Sequence, residues 1–286
     1  MNDRPVILYL DNSFTFGGAI NSLMYMLRAQ DRRKYEPILV TGQPEEYLAR
    51  HFGNITWYKV NPKLPWIHNK RYNRIASLPL FRNRAALKVL NVARFLFWFL
   101  FHTLPEAFLY YRIGKKHRVR LVHLNNMLGS QFAGIIAARI LGVPCVAHLR
   151  DFESSNVLNR FFAGFVHHHI AISSSICENL LELAVPREKI TIVYDAIDMD
   201  EFNDAVDHQY IREEFGLRDG QKTFGVFGRI MFWKGIKEFV IAADRVFKDL
   251  PDARAFVVGS PSDGAQEYLD EVRGIVRKLG LEDRVV

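Results

Sequence analysis

The sequence predicts an α/β protein with two domains, each built on a parallel sheet, and two observations lead to this fold class. Short, continuously apolar runs alternate with segments of helical period along most of the 286 residues, a pattern typical of parallel strands covered by helices on both faces. A polar stretch at residues 195–207 then interrupts the pattern, which restarts after it. We therefore expect one domain at residues 1–200 and another at residues 201–286.

The individual elements follow from apolar periodicity. The predicted strands are Val6–Leu10, Pro37–Thr41, Leu121–Leu124, Cys145–Leu149, Ile170–Ile172, Ile190–Val193, Phe224–Phe227 and Ala255–Val258. Helices are expected near Ala19–Arg28, at Gln131–Leu141, and from a capping box formed by Ser175 and Glu178. Two more helices follow the last two strands. The second domain then holds only two complete strands, and we expect it to be incomplete at Val286.

Composition excludes several classes of protein. With 49% hydrophobic and 24% charged residues, the chain is not a disordered, collagen-like or disulfide-knot protein. Its two cysteines lack metal-ligand spacing and suit a reducing cytosol. The chain runs straight into Val6–Leu10, so we expect no signal peptide. The apolar run Phe95–Pro105, free of Lys, Arg, Asp and Glu, is shorter than the roughly 20 residues that a membrane span needs.

The net charge of +7 is concentrated in one segment. Residues 59–120 hold 14 Lys or Arg against a single acid, Glu106, while the rest of the chain carries −6. Within this segment, RAALKVLNVARFLFWFLF (84–101) places Lys88, Asn91 and Arg94 every third residue in an apolar, aromatic run. We expect residues 84–120 to bind an anionic membrane surface. A core helix flanked by solvated charges is the alternative. Nucleic acid is not expected, because the aromatics are clustered and do not alternate with the cations.

Two loops are candidates for binding an anion. Gly17 and Gly18 stand before the first predicted helix, where backbone N–H groups favour a phosphate, although a tight turn explains the pair equally well. The loop is neither a GxGxxG nor a Walker sequence, which argues against dinucleotide oxidoreductases and P-loop ATPases. In the second domain, Gly228 is followed by Arg229 and Lys234, two cations able to neutralise a diphosphate. Solvated surface cations are the alternative there.

Three smaller features complete the candidates. Gly259 follows the next strand and should lie on the same rim as Arg229. Asp11, Asn125 and Asn126 stand at strand ends, where they suit either acceptor contacts or turns. The triplet His167–His169 is not expected to bind a metal, because successive side chains of a strand point to opposite faces.

Several of these motifs resemble one family. The segment IAISSSICENLLELAVPREKITIVYDAIDMDEF (170–202) is similar to the hinge-side signature of retaining glycosyltransferases of family 4, and FGVFGRIMFWKGIKEFVIAADRV, FVVGS and YLDEVRGIVRKLGLEDRVV resemble its donor domain. The resemblance spans almost everything except the basic segment. It implies a GT-B fold, in which an N-terminal Rossmann-like domain binds the acceptor and a C-terminal one binds the nucleotide sugar.

The resemblance also implies roles for single residues. Gly17 and Gly18 match the glycine loop near the donor phosphates and the acceptor, while Gly259 matches a donor-site loop. Arg229 and Lys234 match the basic pair that binds the diphosphate and stabilises its charge as it leaves. The family requires no metal, and the nucleotide sugar is a substrate, so no cofactor is expected.

The chain departs from the family pattern in places. Arg150-Asp151 stands where the family commonly has His-Asp, and His148 lies two positions earlier; we expect these three residues to line the sugar and acceptor side. Asp195 replaces the family's Asn, and Ala196 its Gly. The family's Glu-x7-Glu element, which binds the nucleotide ribose and the sugar, is expected beyond residue 286.

The sequence thus predicts a retaining glycosyltransferase that moves a sugar from a nucleotide diphosphate to a lipid-linked or polysaccharide acceptor. We expect a peripheral protein at the cytoplasmic face of the plasma membrane. The alternative is a catalytically incomplete fragment that acts as a membrane-associated binding or scaffolding module.

Overall fold

The computed structural model describes residues 4–13, 17–60, 69–201, 209–261 and 264–286. The chain divides into two compact units, Met1–Phe202 and Asn203–Val286. Each unit contains one sheet, and every strand pairing among the described residues is parallel. The α/β fold class predicted from the alternating pattern is therefore confirmed.

The sheet of the first unit has seven strands in the order β3-β2-β1-β4-β5-β6-β7. Their bounds are β1 Val6–Asp11, β2 Glu36–Thr41, β3 Thr56–Lys59, β4 Leu121–Asn125, β5 Cys145–Leu149, β6 His168–Ala171 and β7 Ile190–Ile192. The order reverses between β1 and β4, and open parallel sheets bind ligands at the carboxyl ends of their strands beside such a reversal. Asp11 and Asn125 occupy those two strand ends.

Helices cover both faces of this sheet. Their bounds are α1 Gly18–Ala29, α2 Glu45–Phe52, α3 Asn69–Ala76, α4 Arg84–Trp98, α5 Leu104–Lys116, α6 Phe132–Leu141, α7 Val157–Ala163 and α8 Ser174–Glu182. Because side chains alternate along a strand, Tyr9 packs in one core with Leu23 of α1 and Leu48 of α2. Leu8 and Leu10 pack in the other core, with residues of α5 and α6.

The start of α8 differs from the prediction. The sequence placed a capping box at Ser175 and Glu178, but the helix is capped by Ser173, whose Oγ accepts a hydrogen bond from the Ile176 N–H at 3.2 Å. Ser173 keeps an extended backbone after β6, as an N-cap residue does. Three consecutive serines are chemically equal caps, so the end of the preceding strand decides among them.

A single helical rod runs from Arg84 to Lys116, with a π-helical turn at Phe99–Thr103 joining α4 to α5. In α5, the residues Ala107, Tyr110 and Ile113 are buried in the core, whereas α4 buries none of its residues. The 11-residue uncharged run is shorter than a membrane span needs, but the full 33-residue helix is long and apolar enough to span by length and composition alone.

The second unit pairs β8 with β9. Its elements are α9 Gln209–Glu214, β8 Thr223–Phe227, α10 Ile236–Asp249, β9 Arg254–Val258 and α11 Gln266–Lys278. Val240, Phe247 and Val272 form the centre of a small core between these helices and the strands. Val285 makes a parallel bridge with Ala255 of β9.

Candidate functional site

At the carboxyl edge of the larger sheet, Asp11 joins the ends of three strands. Its buried carboxylate accepts hydrogen bonds from Asn125 Nδ2 at 2.9 Å, from Thr41 Oγ1 at 3.1 Å, and from the Ser13 hydroxyl. Burial raises the pKa of Asp11, and these hydrogen bonds oppose that rise in part. Asp11 and Asn125 therefore hold the strand ends together, and the candidate acceptor contacts have a structural role at this edge.

Beside them, Arg150 is buried and paired. Its Nε donates to Asn125 Oδ1 at 2.8 Å, its side chain is only 4% exposed, and its guanidinium forms an ion pair with Asp195. A second guanidinium nitrogen lies 3.5 Å from His148 Nδ1. The structure thus brings His148 and Arg150 together, as expected, but it directs the arginine toward protein groups.

His148 is a neutral imidazole in this setting. Burial, followed by the charge of Arg150, lowers the pKa of His148 to about 3. The ring packs edge-on against His123 of β4, with centroids 5.6 Å apart. The imidazole is therefore uncharged at neutral pH and offers a hydrogen-bonding group without a positive charge.

Asp195 is the residue whose role at this site was not predicted. Besides pairing with Arg150, it accepts a hydrogen bond from Ser22 Oγ of α1 at 3.0 Å. Nearby, Glu201 accepts from Tyr25 OH at 2.6 Å and pairs with Arg28 at 3.0 Å. The segment 193–201 is thereby fastened to α1. The sequence held one signal for this ion pair. Asp195 stands where the family has Asn and Arg150 where it commonly has His, so the two departures from the family pattern occur together.

A cavity of about 530 Å³ lies between α1 and residues 193–198, and both His148 and Arg150 line it. Asp151 has a different setting. Its exposed carboxylate accepts a hydrogen bond from the adjacent Phe152 N–H at 2.8 Å. Asn126 has a φ of +89° and donates its N–H to the His148 carbonyl at 3.1 Å, which makes it a turn residue.

The first glycine loop lies where it was expected, at the N-terminus of α1. Gly17 is extended, with φ −171°, and a Cβ on Gly18 would have no atom within 4 Å. Any residue adopts that backbone at Gly17, and Gly18 has open space around it. Neither glycine is thus required by the described part of this unit, and their predicted contact with phosphate stays a prediction.

In the second unit, Gly228 and Gly259 bring two loops into direct backbone contact. The N–H of Gly228 donates to the Val258 carbonyl at 2.9 Å. A Cβ on Gly259 would stand 1.9 Å from the Gly228 carbonyl oxygen, and φ is +157° at Gly259 and +150° at Gly228. Only glycine fits there, so the two loops form one rim at the carboxyl ends of β8 and β9.

Arg229 and Lys234 lie on this rim and are exposed. Neither has an ion-pair partner within the described ranges. Lys234 ends the turn Phe232–Lys234, and Gly235, with φ +68°, caps the start of α10. Two unpaired cations beside a helix N-terminus form a positive field that suits a diphosphate.

The three consecutive histidines make separate contacts. His167 Nδ1 accepts from the Cys145 N–H at 3.1 Å, the His168 ring lies 2.8 Å from Thr191 Oγ1, and His169 is buried in the core. Over the described ranges, no group of three or more His, Cys, Asp or Glu could hold a metal ion.

The fold is shared with solved structures of sugar-nucleotide proteins. HepE from Anabaena, in complex with UDP-glucose, matches 98% of this chain and 67% of its own, with a TM-score of 0.71 and 20% identity. A glycosyltransferase from Rickettsia africae covers 99% of this chain and 68% of its own, with a TM-score of 0.70 and 16% identity. These likenesses establish the fold.

Sequence comparison identifies relatives of named activity. The UDP-Gal:alpha-D-GlcNAc-diphosphoundecaprenol alpha-1,3-galactosyltransferase of Escherichia coli is 26% identical over 165 residues, which are 52% of this chain and 42% of that protein. The D-inositol 3-phosphate glycosyltransferase of Mycobacteroides abscessus is 34% identical over 97 residues, or 34% and 21% of the two chains. The chain thus spans less than half the length of these relatives. A model of Glycosyltransferase Family 4 matches residues 16–201, well over half of the sequence, and the chain belongs to that family.

Proposed function

We propose that the protein takes part in moving a sugar from a nucleotide diphosphate to a lipid-linked or polysaccharide acceptor, with retention of configuration, at the cytoplasmic face of a membrane. The observation that carries the proposal is the exposed pair Arg229 and Lys234 on the Gly228–Gly259 rim, which has no ion-pair partner among the residues that the structure describes. Support for the acceptor class comes from the diphosphoundecaprenol named for the E. coli relative and from a lipopolysaccharide core mannosyltransferase of Rhizobium meliloti, 29% identical over 96 residues.

The chemistry explains why two cations are suited to this position. The bond that breaks joins the anomeric carbon to a phosphate oxygen, and the electron pair stays with the departing diphosphate. Preorganised positive charge stabilises that developing anion, often by several kcal/mol. Arg229 offers a planar set of donors and Lys234 a mobile point charge. Their exposure leaves both groups open to a ligand.

The test is binding of UDP and GDP, measured by calorimetry, against the corresponding monophosphates. We expect the diphosphate to bind more tightly, and Arg229→Ala with Lys234→Ala to weaken it by about a hundredfold or more. The matched control is Arg245→Ala with Lys278→Ala. These exposed cations lie near the C-terminal ends of α10 and α11, where the helices have run back from the rim.

Unchanged diphosphate affinity in the Arg229/Lys234 variant would disprove the site assignment. Retention is tested separately, by NMR of the anomeric proton of the transfer product. An inverted product would contradict that part of the proposal while leaving the binding result intact.

A further inference from the structure

The helical rod Arg84–Lys116 carries an exposed apolar stripe. Its members recur at intervals of three or four residues, and all are solvent-exposed: Val89, Val92, Leu96, Leu100, Leu104 and Phe108. This spacing places side chains on one side of a helix. Leu100 is 52% exposed and Phe108 is 59% exposed, although both belong to a well-formed helix. Such a continuous apolar surface indicates a binding face.

Positive charges stand at both ends of the stripe. Arg84 and Lys88 come before it, and Arg112 and Lys115 continue its spacing beyond Phe108; all four are exposed. Between residues 84 and 120 the sequence has one acid, Glu106, which accepts a hydrogen bond from Tyr110 OH. An apolar stripe with cations at both ends is complementary to a partner that has an apolar interior beneath an anionic surface.

On its opposite side, α4 contacts Tyr72 of α3. Asn91 accepts a hydrogen bond from Tyr72 OH of α3, and the Arg94 guanidinium lies 4.1 Å from the centre of the Tyr72 ring. At about 100° per residue, Asn91 and Arg94 point away from the stripe. The side of α4 that carries Asn91 and Arg94 therefore contacts α3, while the stripe faces solvent, as do Trp98 and Phe101 elsewhere on the rod.

We propose that the rod is a membrane-docking element that lies in the plane of an anionic bilayer, with the exposed apolar stripe at the boundary between headgroups and acyl chains. The rod is about 50 Å long at 1.5 Å per residue and presents an elongated surface. Cations at its ends reach lipid phosphates, and the aliphatic side chains enter the outer acyl region.

Crossing the bilayer is disfavoured by what surrounds the rod. The helix α3, with the sequence NKRYNRIA, lies against the middle of α4, so a spanning orientation would take a polar helix and Arg94 into hydrocarbon. Each charge there costs about 2.5–3.5 kcal/mol even on insertion scales. The other half of the rod is also anchored in the hydrophobic core of the first unit by Tyr110 and Ile113. An in-plane position avoids both penalties.

The test is co-sedimentation of the full chain with vesicles of phosphatidylcholine containing phosphatidylglycerol, compared with phosphatidylcholine alone. We expect binding to the mixed vesicles and a loss of at least about tenfold in Leu100→Asp with Phe108→Asp. Val157→Asp with Phe161→Asp is the matched control, because both residues are at least as exposed, belong to α7, and should keep the binding. Circular dichroism of all variants checks that the helices remain folded.

Charge and depth are tested in the same assay. Arg112→Gln with Lys115→Gln should weaken binding about fivefold for each charge removed, while Arg245→Gln with Lys278→Gln should not. An alkaline carbonate wash should release the bound protein.

Failure to bind mixed vesicles overturns the proposal, as does resistance to the wash, which would indicate a span. Self-association that the Leu100/Phe108 variant abolishes, without vesicle binding, would instead assign the stripe to contact between copies. Vesicle binding needs no sugar nucleotide, so this proposal and the proposed function fail separately.

Discussion

The carboxyl ends of the strands in the two units carry the same residue type in opposite settings. In the first unit, Arg150 is buried and bonded to Asn125 and Asp195. In the second unit, Arg229 and Lys234 are exposed and, within the described ranges, have no acidic partner. Both edges are where a parallel sheet binds ligands, and among the described residues the second edge carries two cations that are open to one.

This difference indicates that the charge of Arg150 stabilises the protein, whereas the charges of Arg229 and Lys234 are available to a ligand. Arg150 fixes the segment around Asp195, which also bonds α1 through Ser22, and so it shapes the walls of the 530 Å³ cavity. Arg229 and Lys234 form no comparable ion pair within the described ranges. Stability should therefore depend on the first edge and nucleotide affinity on the second.

The largest expected effect is a loss of stability on acidification that is confined to the first unit. Burial lowers the pKa of His123 and His148 to about 3 and that of His169 to about 4. Below about pH 6.5, these histidines bind protons in the unfolded chain but stay neutral in the native fold. The stability that they contribute is therefore present above that pH and falls as the pH falls. Each should cost about 2 kcal/mol between pH 7.5 and 5.

Asp11 and Glu153 have raised pKa values, mainly from burial, and oppose this trend in part. We therefore expect a net loss of less than about 6 kcal/mol, measured by hydrogen exchange with mass spectrometry after correction for intrinsic rates. Residues 209–286 contain no histidine and serve as the internal control. Equal loss of protection in both units, or none in the first, would contradict the prediction.

The next effect tests the buried ion pair. Asp195→Ala should lower the free energy of unfolding of the first unit by about 3 kcal/mol, because it leaves the Arg150 charge buried without a partner. Arg150→Met should cost less, since Asp195 is 35% exposed and can hydrate. Denaturant unfolding of the single and double variants measures the coupling. A double variant as unstable as the sum of the singles would show that the pair does not act as a unit.

The smallest effect compares the two glycine loops. Gly259→Ala should destabilise the second unit by about 2 kcal/mol, because its Cβ would overlap the Gly228 carbonyl at a φ that other residues rarely adopt. Gly18→Ala should change stability by less than about 0.5 kcal/mol, since the space around it is open. Thermal unfolding of both variants is the measurement. Similar losses at the two positions would mean that the loops do not differ as described.

Much of the architecture could be read from local pattern. Strands such as Cys145–Leu149 and helices such as Gln131–Leu141 were placed to within a residue, because apolar periodicity reports directly which face an element buries. The strand Thr56–Lys59 and the helices α2, α3, α7 and α9 were not identified. They are short, and in β3 only Trp57 and Tyr58 are partly buried, so the apolar signal there is weak.

The residues of the candidate site also fall into a group that the sequence indicated and a group that it did not. Arg229, Lys234, Gly228 and Gly259 were found together because all four stand in two loops that directly follow strands. The Arg150–Asp195 pair was not foreseen, since 45 residues separate its members and only the sheet brings them into contact.

The sequence by itself determined the parallel α/β fold, the positions of the two glycine loops and the concentration of positive charge at residues 59–120, because each depends on local spacing or composition. Tertiary structure alone decided which cations form ion pairs inside the protein and which remain at the surface. It also decided that the apolar stripe of the Arg84–Lys116 rod stays uncovered. Burial and pairing depend on which distant segments meet, and a linear pattern does not specify that.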